Sequence, residues 1–449
     1  MGPATSVVCA GCGFRAPDDD PFPFRCPRSG AGDVDHVMVR ELDPDRVAFP
    51  DPAEPNPFVA FRELFHGYHL ARTHGLSDAG YVELVEELDD QVLAVNGHGF
   101  VATPFAPAPA LSGRLGFDVW VKDETRNVSG THKARHTMGL MVHLLAVERA
   151  GMAPHGQPAD LAIASCGNAA LGAAVIARAA RRTLRVFVPT WADPVVMERL
   201  EGLGANVEVC PREDGVPGDP TYRALRRVIE EGAVPFTAQG PDNGLTVEGG
   251  ETLGYEMVST LQREGANLDR VVIQVGGGAL ASSVIRAFED AALLEAPVSA
   301  PRFHTVQTAG AHPLERAYRL VRERAGEALA PAAIVEAMAF ARTHRSSFMW
   351  PWEDEPKSVA TGILDDETYD WAAVVAGMLA TGGSPELVSE ERLEEANLLA
   401  RETTGIDVDH TGSAGLAGLL ELAERGAIGS GERVAVLFTG VRRTEGGVR

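Results

Sequence analysis

The chain is poor in lysine. Of its 449 residues, 40 are lysine or arginine, and only three of these are lysine: Lys122, Lys133 and Lys357. Arginine supplies positive charge and forked hydrogen bonds, but its guanidinium stays protonated and cannot act as an amine nucleophile. A lysine can lose its proton and condense with a carbonyl. The two lysines in "VWVKDETRNVSGTHKARHT", residues 119–137, therefore suggest Schiff-base chemistry.

The sequence also lacks a surplus of positive charge, long apolar runs and a pattern of paired cysteines. A formal net charge of −23 argues against nucleic acid or an acidic membrane as a partner, since both require basic patches. No apolar run reaches about 18 residues and the first residues show no signal-peptide pattern, so we expect no membrane span and a cytoplasmic location. Five cysteines, an odd number in a long chain, do not indicate a disulfide framework.

The chain divides into a short head and a long region of alternating elements. Residues 1–40 hold "CAGC" and "CPRSG", and residues 41–58 are rich in proline and acid, as is typical of a linker. The spacing of "GLSDAGYVELVEELDDQVLAVNG" predicts a helix that starts at Ser/Asp and stops at glycine. From about residue 117 onwards, short β-rich runs alternate with helical runs, which favours parallel α/β sheets. The predicted strands are "FDVWVK", "LAIAS", "LRVFVP", "ANVEVC", "VVIQV", "RFHTVQ" and "RVAVLFT".

Lys133 is a candidate site residue because it follows a predicted strand and a "SGT" turn and begins a helix. Ligands of parallel α/β sheets bind where strands end and loops lead into helices. The positive end of the helix dipole would help keep the amine neutral. By position alone, a surface lysine near a helix start is the commoner case. Lys122 alternates within a strand, which indicates a structural role, and the acidic neighbours of Lys357 would raise its pKa, the wrong direction for a nucleophile.

A second candidate is the turn after "LAIAS", where Ser165, Cys166, Gly167 and Asn168 lead into an alanine-rich helix. Exposed backbone N–H groups at such a helix start form an anion site suited to a carboxylate. The Asn168 amide can hydrogen-bond a phenolic oxygen. Simple N-capping by Asn168 is the structural alternative.

A third candidate is the glycine run between the strand "VVIQV" and a helix. Without Cβ atoms, the backbone of Gly276, Gly277 and Gly278 can wrap closely around a phosphate at the helix N-terminus. The spacing also satisfies the loose dinucleotide pattern G-x-G-x-x-A. That pattern expects an acidic residue at the end of the next strand, and "RFHTVQTAG" has none. A nicotinamide cofactor is therefore disfavoured.

A fourth candidate is Thr439, at the end of the strand "RVAVLFT". Its hydroxyl could hydrogen-bond a ring nitrogen without carrying charge. Alone, it is only a threonine at a strand end.

Taken in order, the four motifs resemble those of the fold-type II family of pyridoxal 5′-phosphate (PLP) enzymes, which includes threonine synthase, serine and threonine dehydratases and the tryptophan synthase β-subunit. The resemblance spans roughly residues 100–445. It implies an α/β fold with two parallel-sheet, three-layer domains of the tryptophan-synthase-β kind. Residues 41–135 with 241–449 would form the large PLP-binding domain, residues 136–240 a small mobile domain, and the head a cysteine-containing ribbon.

The resemblance also implies a role for each motif. Lys133 would be the Schiff-base lysine and the proton carrier. The "SCGNA" loop would bind the substrate carboxylate, with Asn168 on the phenolic oxygen of the cofactor, and "GGGAL" would bind its phosphate. Thr439 would bond the pyridine nitrogen and leave it unprotonated, which favours elimination and replacement over transamination. The implied site residues are Lys133, Ser165, Cys166, Gly167, Asn168, Ala169, Gly276, Gly277, Gly278, Ala279, Leu280 and Thr439.

Within the family, "EPKSVATGI" and the cysteine head resemble threonine synthases. This implies elimination or replacement on a small L-amino acid with a β- or γ-leaving group, and a homodimer. Two departures keep other substrates open: an acidic run, "LDDETYDWAAV", follows "VATGI", and "GTHKARH" is closer to dehydratases and tryptophan synthase. A dehydratase-like β-elimination or β-replacement enzyme is the alternative, and a non-catalytic PLP- or amino-acid-binding regulator is a third. Further candidates are Thr411, Ser413 and His410 near the substrate, and Arg135, Arg342 and Arg345 for a substrate phosphate.

The head matches a zinc ribbon in part. Cys9, Cys12 and Cys26 stand at ligand positions, and Ser29 replaces the fourth cysteine. Structural zinc usually takes four cysteine or histidine ligands. Either His36 or Asp33 would complete the site, and a ribbon without metal is the equal alternative.

Overall fold

The computed structural model describes residues 2–30, 32–51, 53–153, 159–212, 219–354 and 356–443. The strands in these residues are β1 (Thr5–Cys9), β2 (Met38–Leu42), β3 (Phe105–Pro107), β4 (Asp118–Asp123), β5 (Leu161–Ala164), β6 (Leu184–Pro189), β7 (Asn206–Cys210), β8 (Val234–Pro235), β9 (Arg270–Gln274), β10 (Arg302–Thr308), β11 (Pro385–Val388) and β12 (Arg433–Phe438).

The helices in the same residues alternate with these strands from β4 onwards. They are α1 (Pro57–Ala60), α2 (His66–Thr73), α3 (Asp78–Asn96), α4 (Pro109–Leu115), α5 (Lys133–Arg149), α6 (Asn168–Ala179), α7 (Pro194–Gly202), α8 (Pro220–Glu230), α9 (Thr246–Glu264), α10 (Ala279–Leu293), α11 (Pro313–Ala325), α12 (Pro331–Thr343), α13 (Trp371–Thr381), α14 (Glu390–Thr404) and α15 (His410–Glu424). None of these helices combines the length and the apolarity needed to cross a bilayer.

The strands form three sheets. The head holds the antiparallel pair β1-β2, the largest sheet has the order β11-β10-β9-β12-β4-β3, and a four-stranded sheet has the order β7-β6-β5-β8. Every neighbouring pair in the two larger sheets is parallel except β3 with β4. β9 is buried along its whole length, as expected for a parallel strand covered on both faces. The α/β prediction with parallel sheets is confirmed.

The seven predicted strands are all present, and so is the predicted helix after residue 75. That helix is α3, whose N-cap Ser77 accepts a hydrogen bond from the Gly80 N–H and which ends at Gly97 with φ +91°. The strands that the sequence did not predict are short or lie at sheet edges, where β3 and β11 contain proline. The strands of the four-stranded sheet lie between residues 161 and 235. The proposed domain boundaries stay a prediction.

A buried ionic cluster joins β4, α5 and α9 beneath the candidate lysine. Arg135 is fully buried, and its guanidinium donates to Glu124 at 2.8 Å and to Glu256 at 2.7 Å. Lys122 is also fully buried, pairs with Glu256 and donates to the Thr103 carbonyl at 2.8 Å. The two cations and two carboxylates balance, which a buried group of charges requires. The structural role predicted for Lys122 is confirmed, and Arg135 is committed to this cluster rather than to a substrate phosphate.

Candidate active site

Lys133 is half-buried at the first position of α5. The turn before it contains Ser129 and Gly130, with φ of 58° and +71°, so two successive residues in the left-handed region reverse the chain after β4. Burial lowers the pKa of Lys133, and the nearby carboxylates of Asp365 and Asp370 oppose this shift. Desolvation of the Lys133 amine therefore favours its neutral form.

Thr439 lies next to the turn that presents Lys133. Its backbone carbonyl accepts from the His132 N–H at 3.2 Å and lies 3.2 Å from His132 Nδ1. Burial lowers the pKa of His132 well below its usual range, with Lys133 and His136 adding to the effect, so the imidazole is neutral. The C-terminal end of β12 and the start of α5 are therefore held together by these contacts.

The hydroxyl of Thr439 is oriented by a residue that the sequence analysis did not single out. Gln274, at the end of β9, donates from Nε2 to Thr439 Oγ1 at 2.7 Å. The same nitrogen donates to the carbonyls of Gly412 at 2.9 Å and Leu437 at 3.2 Å. Because carbonyls only accept, the atom facing them is the amide nitrogen. The Thr439 oxygen therefore accepts from Gln274, and its own proton is left to donate to an acceptor.

The start of α6 lies against the same region. The N-cap is Gly167, which has no side chain to cap the helix, and Asn168 is the first helical residue. The N-capping alternative for Asn168 is therefore wrong. A Cβ on Gly172 would lie 3.0 Å from the backbone nitrogen of Ala134, and one on Gly440 would lie 3.3 Å from Asn168 Nδ2. These close approaches bring the half-buried loop of Ser165 to Ala169 alongside the lysine turn and the end of β12.

The glycine run joins β9 to α10, and a carboxyl side chain lies against it. Gly278, the N-cap of α10, has φ +96°, a conformation that side chains rarely adopt. The backbone of Gly277 lies close enough to the Asp365 carboxyl to lower its pKa, against the stronger opposite effect of burial. A Cβ on Gly276 would overlap that same carboxylate. An oxygen-bearing side chain therefore lies beside the N-terminus of α10, where backbone N–H groups favour an oxyanion.

Asp365 belongs to residues 364–370, which we call the acidic segment. Thr368 Oγ1 donates to the Gly276 carbonyl at 2.9 Å, and the Asp370 N–H donates to the Gly277 carbonyl at 3.0 Å. Burial raises the pKa of Asp365, opposed by Lys133, and raises that of Asp370 to about 7. In the sequence, this acidic run is visible only as a departure from threonine synthases. Its signal was the density of carboxylates between "VATGI" and Trp371.

Three of the remaining candidate residues have partners within the protein. Arg345 pairs with Asp35 and with Glu367. Thr411 Oγ1 accepts from the Gly362 N–H at 3.0 Å, and Ser413 is buried and accepts from Asn397 at 3.0 Å. These contacts account for the side chains structurally. The head brings together four further polar side chains, namely Cys9, Cys12, Cys26 and His36.

Comparison with known proteins identifies related enzymes. Threonine synthase of Bacillus sp. (strain ULM1) is 24% identical over 363 residues, which cover 81% of this chain and 87% of that protein. L-serine dehydratase/L-threonine deaminase of Mus musculus is 27% identical over 222 residues, or 49% of this chain and 61% of that protein.

Solved structures share the fold at lower identity. Diaminopropionate ammonia lyase from Escherichia coli matches with a TM-score of 0.59 and 17% identity, over 82% of this chain and 89% of that one. Maize serine racemase matches with a TM-score of 0.57 and 16% identity, over 81% of this chain and 94% of that one. The model of the pyridoxal-phosphate dependent enzyme family matches residues 98–440. The chain therefore belongs to the family of pyridoxal-phosphate-dependent enzymes.

Proposed function

We propose that the chain is a PLP-dependent lyase for a small L-amino acid with a leaving group beyond Cα. The observation that carries this proposal is the hydrogen bond from Gln274 to Thr439. A hydroxyl that accepts from Gln274 has its own proton left to donate, so a cofactor ring nitrogen bonded to Thr439 would be the acceptor and would carry no proton. An unprotonated ring is a weaker electron sink, which favours elimination and replacement over transamination.

Each motif of the candidate site would have its own role in binding the cofactor, binding the substrate or transferring a proton. PLP, when bound, supplies the electron sink for a carbanion at Cα. The glycine run from Gly276 to Leu280 would hold its phosphate, and Asn168 its phenolic oxygen. The N–H groups at the start of α6 would hold the substrate carboxylate. The Lys133 amine, whose pKa is lowered by burial, would take the proton from Cα and return it to the leaving group or product.

The acidic segment bears on the leaving group. Asp365 lies on the glycine run, and Asp366 lies near Asp219 and Arg212. Of the three arginines considered for a substrate phosphate, Arg135 and Arg345 are already paired with carboxylates. The third, Arg342, lies near the carboxylates of Asp35 and Glu289. A second phosphate would meet like charge here, whereas a neutral or cationic group would not. We therefore infer β-elimination of a neutral or cationic leaving group as the first candidate.

The second candidate is the threonine-synthase reaction, γ-elimination followed by β-addition of water. The relatives favour it, because three of the threonine synthases cover 75–81% of the chain. A homodimer stays a prediction.

Absorbance titration of the purified holoenzyme separates the two candidates. L-serine, L-threonine and L-2,3-diaminopropionate would be added in turn, and O-phosphohomoserine separately. We expect the visible cofactor band to shift with one of the first three, and pyruvate or its homologue to accumulate. A shift with O-phosphohomoserine alone, with threonine as product, would establish the second candidate. Full cofactor occupancy without a response to any amino acid would contradict both and favour a non-catalytic regulator.

Replacing Asp365 with asparagine should strengthen PLP binding. The Asp365 carboxyl lies against the backbone of Gly276 and Gly277, where the cofactor phosphate would bind, so replacing it with a neutral amide would remove a competing acid and its like-charge repulsion. We expect the dissociation constant of PLP to fall by about tenfold, which corresponds to about 1.4 kcal/mol. Fluorescence titration of the apoprotein measures it. Asp366→Asn, one residue away and exposed, is the matched control, and equal affinities in the two variants would contradict the proposed competition.

A further inference from the structure

Three thiols and one imidazole converge in the head of the chain. The ligand atoms of Cys9, Cys12, Cys26 and His36 all lie within 4.8 Å of one another. Cys9 Sγ lies 3.4 Å from His36 Nδ1, and Cys12 Sγ lies 3.7 Å from Cys26 Sγ. Cys9, Cys26 and His36 are buried, and Cys12 is half-buried.

These distances match a metal site and not a disulfide. A disulfide joins sulfurs at about 2.05 Å, and Cys12 and Cys26 are free thiols. Around a tetrahedral zinc ion with Zn–S bonds of about 2.3 Å, neighbouring sulfurs lie about 3.8 Å apart. The separation of Cys12 from Cys26, 3.7 Å, is that edge length. Cys₃His is a donor set used by structural zinc sites.

The backbone of the head is arranged to close this group. β1 ends at Cys9 and pairs with Met38, at the start of β2, so both ends of the loop over residues 10–37 are fixed. A Cβ on Gly11 would overlap the backbone carbonyl of Asp35, the residue before His36. Because glycine has no Cβ, the turn from Cys9 to Cys12 can pack closely against this backbone. Asp33, the other candidate ligand, instead accepts from Ser346 Oγ at 2.7 Å.

We propose that Cys9, Cys12, Cys26 and His36 bind one zinc ion in tetrahedral geometry. The site is separate from the proposed lyase chemistry and does not depend on it. The ion closes a long loop that has little regular structure of its own, which is the usual purpose of a structural metal in a small module.

We also infer that this ion steadies the acidic segment. Asp35 precedes the ligand His36, and its N–H donates to the Arg342 carbonyl at 2.7 Å. The Asp35 carboxylate pairs with Arg345 at 3.3 Å, and Arg345 also pairs with Glu367 in the acidic segment. The residue before the ligand His36 is therefore linked to the acidic segment through two ion pairs.

Metal analysis of the purified chain tests the site. The protein would be purified under reducing conditions and equilibrated with zinc. Elemental analysis by plasma mass spectrometry should then give one zinc ion per chain. His36→Ala should lose the ion, and His36→Cys, which supplies a fourth thiolate in place of the imidazole, should keep it. Cys210→Ser is the matched control, because Cys210 lies in β7 outside the group, and it should retain one zinc.

Two results would overturn the site. One is a folded wild-type chain that stays free of zinc after equilibration. The other is a zinc content in His36→Ala equal to that of wild type. The link to the acidic segment has its own readout, amide hydrogen exchange of residues 364–370. We expect exchange there to be about tenfold faster in His36→Ala than in wild type or Cys210→Ser. Unchanged exchange in a zinc-free His36→Ala would contradict the link while leaving the metal site in place.

Discussion

Replacing Lys133 with alanine should abolish turnover. Loss of a positioned general base alone costs about 10²–10⁴-fold, and loss of the amine also removes the covalent attachment of the cofactor. Lys133→Arg should fail as well, because a guanidinium keeps the charge but cannot act as an amine nucleophile. Steady-state kcat on whichever amino acid the titration identifies measures the effect.

Lys357→Ala is the control for this substitution. Lys357 is the third lysine of the chain, is exposed and lies outside the proposed site, so its loss should leave kcat within about twofold of wild type. A Lys133→Ala protein with wild-type kcat would remove the chemical basis of the proposed function.

Replacing Arg135 with methionine should destabilise the protein by about 3–5 kcal/mol, because removing one partner of a buried ionic group leaves uncompensated charge. Arg135 is fully buried and forms ion pairs with both Glu124 and Glu256. Without it, two carboxylates would share Lys122 as their cation in a region closed to water. The free energy of unfolding, from urea denaturation followed by circular dichroism, measures the loss.

The matched control is Arg114→Met. Arg114 is exposed at the end of α4, so the same change of side chain should alter the free energy of unfolding by no more than about 0.5 kcal/mol. The pair separates the cost of losing an arginine from the cost of breaking the cluster. Equal, small effects at both positions would show that Arg135 does not hold the cluster, and would return it to the candidates for substrate binding.

The strands that carry the candidate site were predictable because each is a compact β-rich run ending in a motif. β5, β9 and β12 are apolar along most of their length, β4 has an apolar centre, and each of the four ends just before a loop with distinctive residues. The order of these motifs along the chain indicated the family before any geometry was known. The family model that matches residues 98–440 confirms it.

Two features of the site were not predictable from local sequence. Gln274 reaches Thr439 across a separation of 165 residues, and nothing in "VVIQVGGG" marks its amide as the group that orients a hydroxyl on another strand. The acidic segment was visible as a run of carboxylates. Its place on the glycine run depends on contacts between residues 276–278 and 365–370, which only the fold brings together.

The fourth metal ligand of the head was also not predictable from local sequence. The spacing of Cys9, Cys12 and Cys26 indicated a ribbon, but the sequence offered both Asp33 and His36 as a fourth ligand. Only the folded loop distinguishes them, by placing His36 in the group and Asp33 on Ser346.

The most direct test of the central claim is to locate the cofactor on the chain. The purified holoenzyme would be reduced with borohydride, digested and analysed by mass spectrometry. We expect a single pyridoxyl-modified peptide, the one that contains Lys133, with Lys122 and Lys357 unmodified. Stoichiometric modification at another lysine, or a protein that takes up no PLP at any concentration, would contradict it.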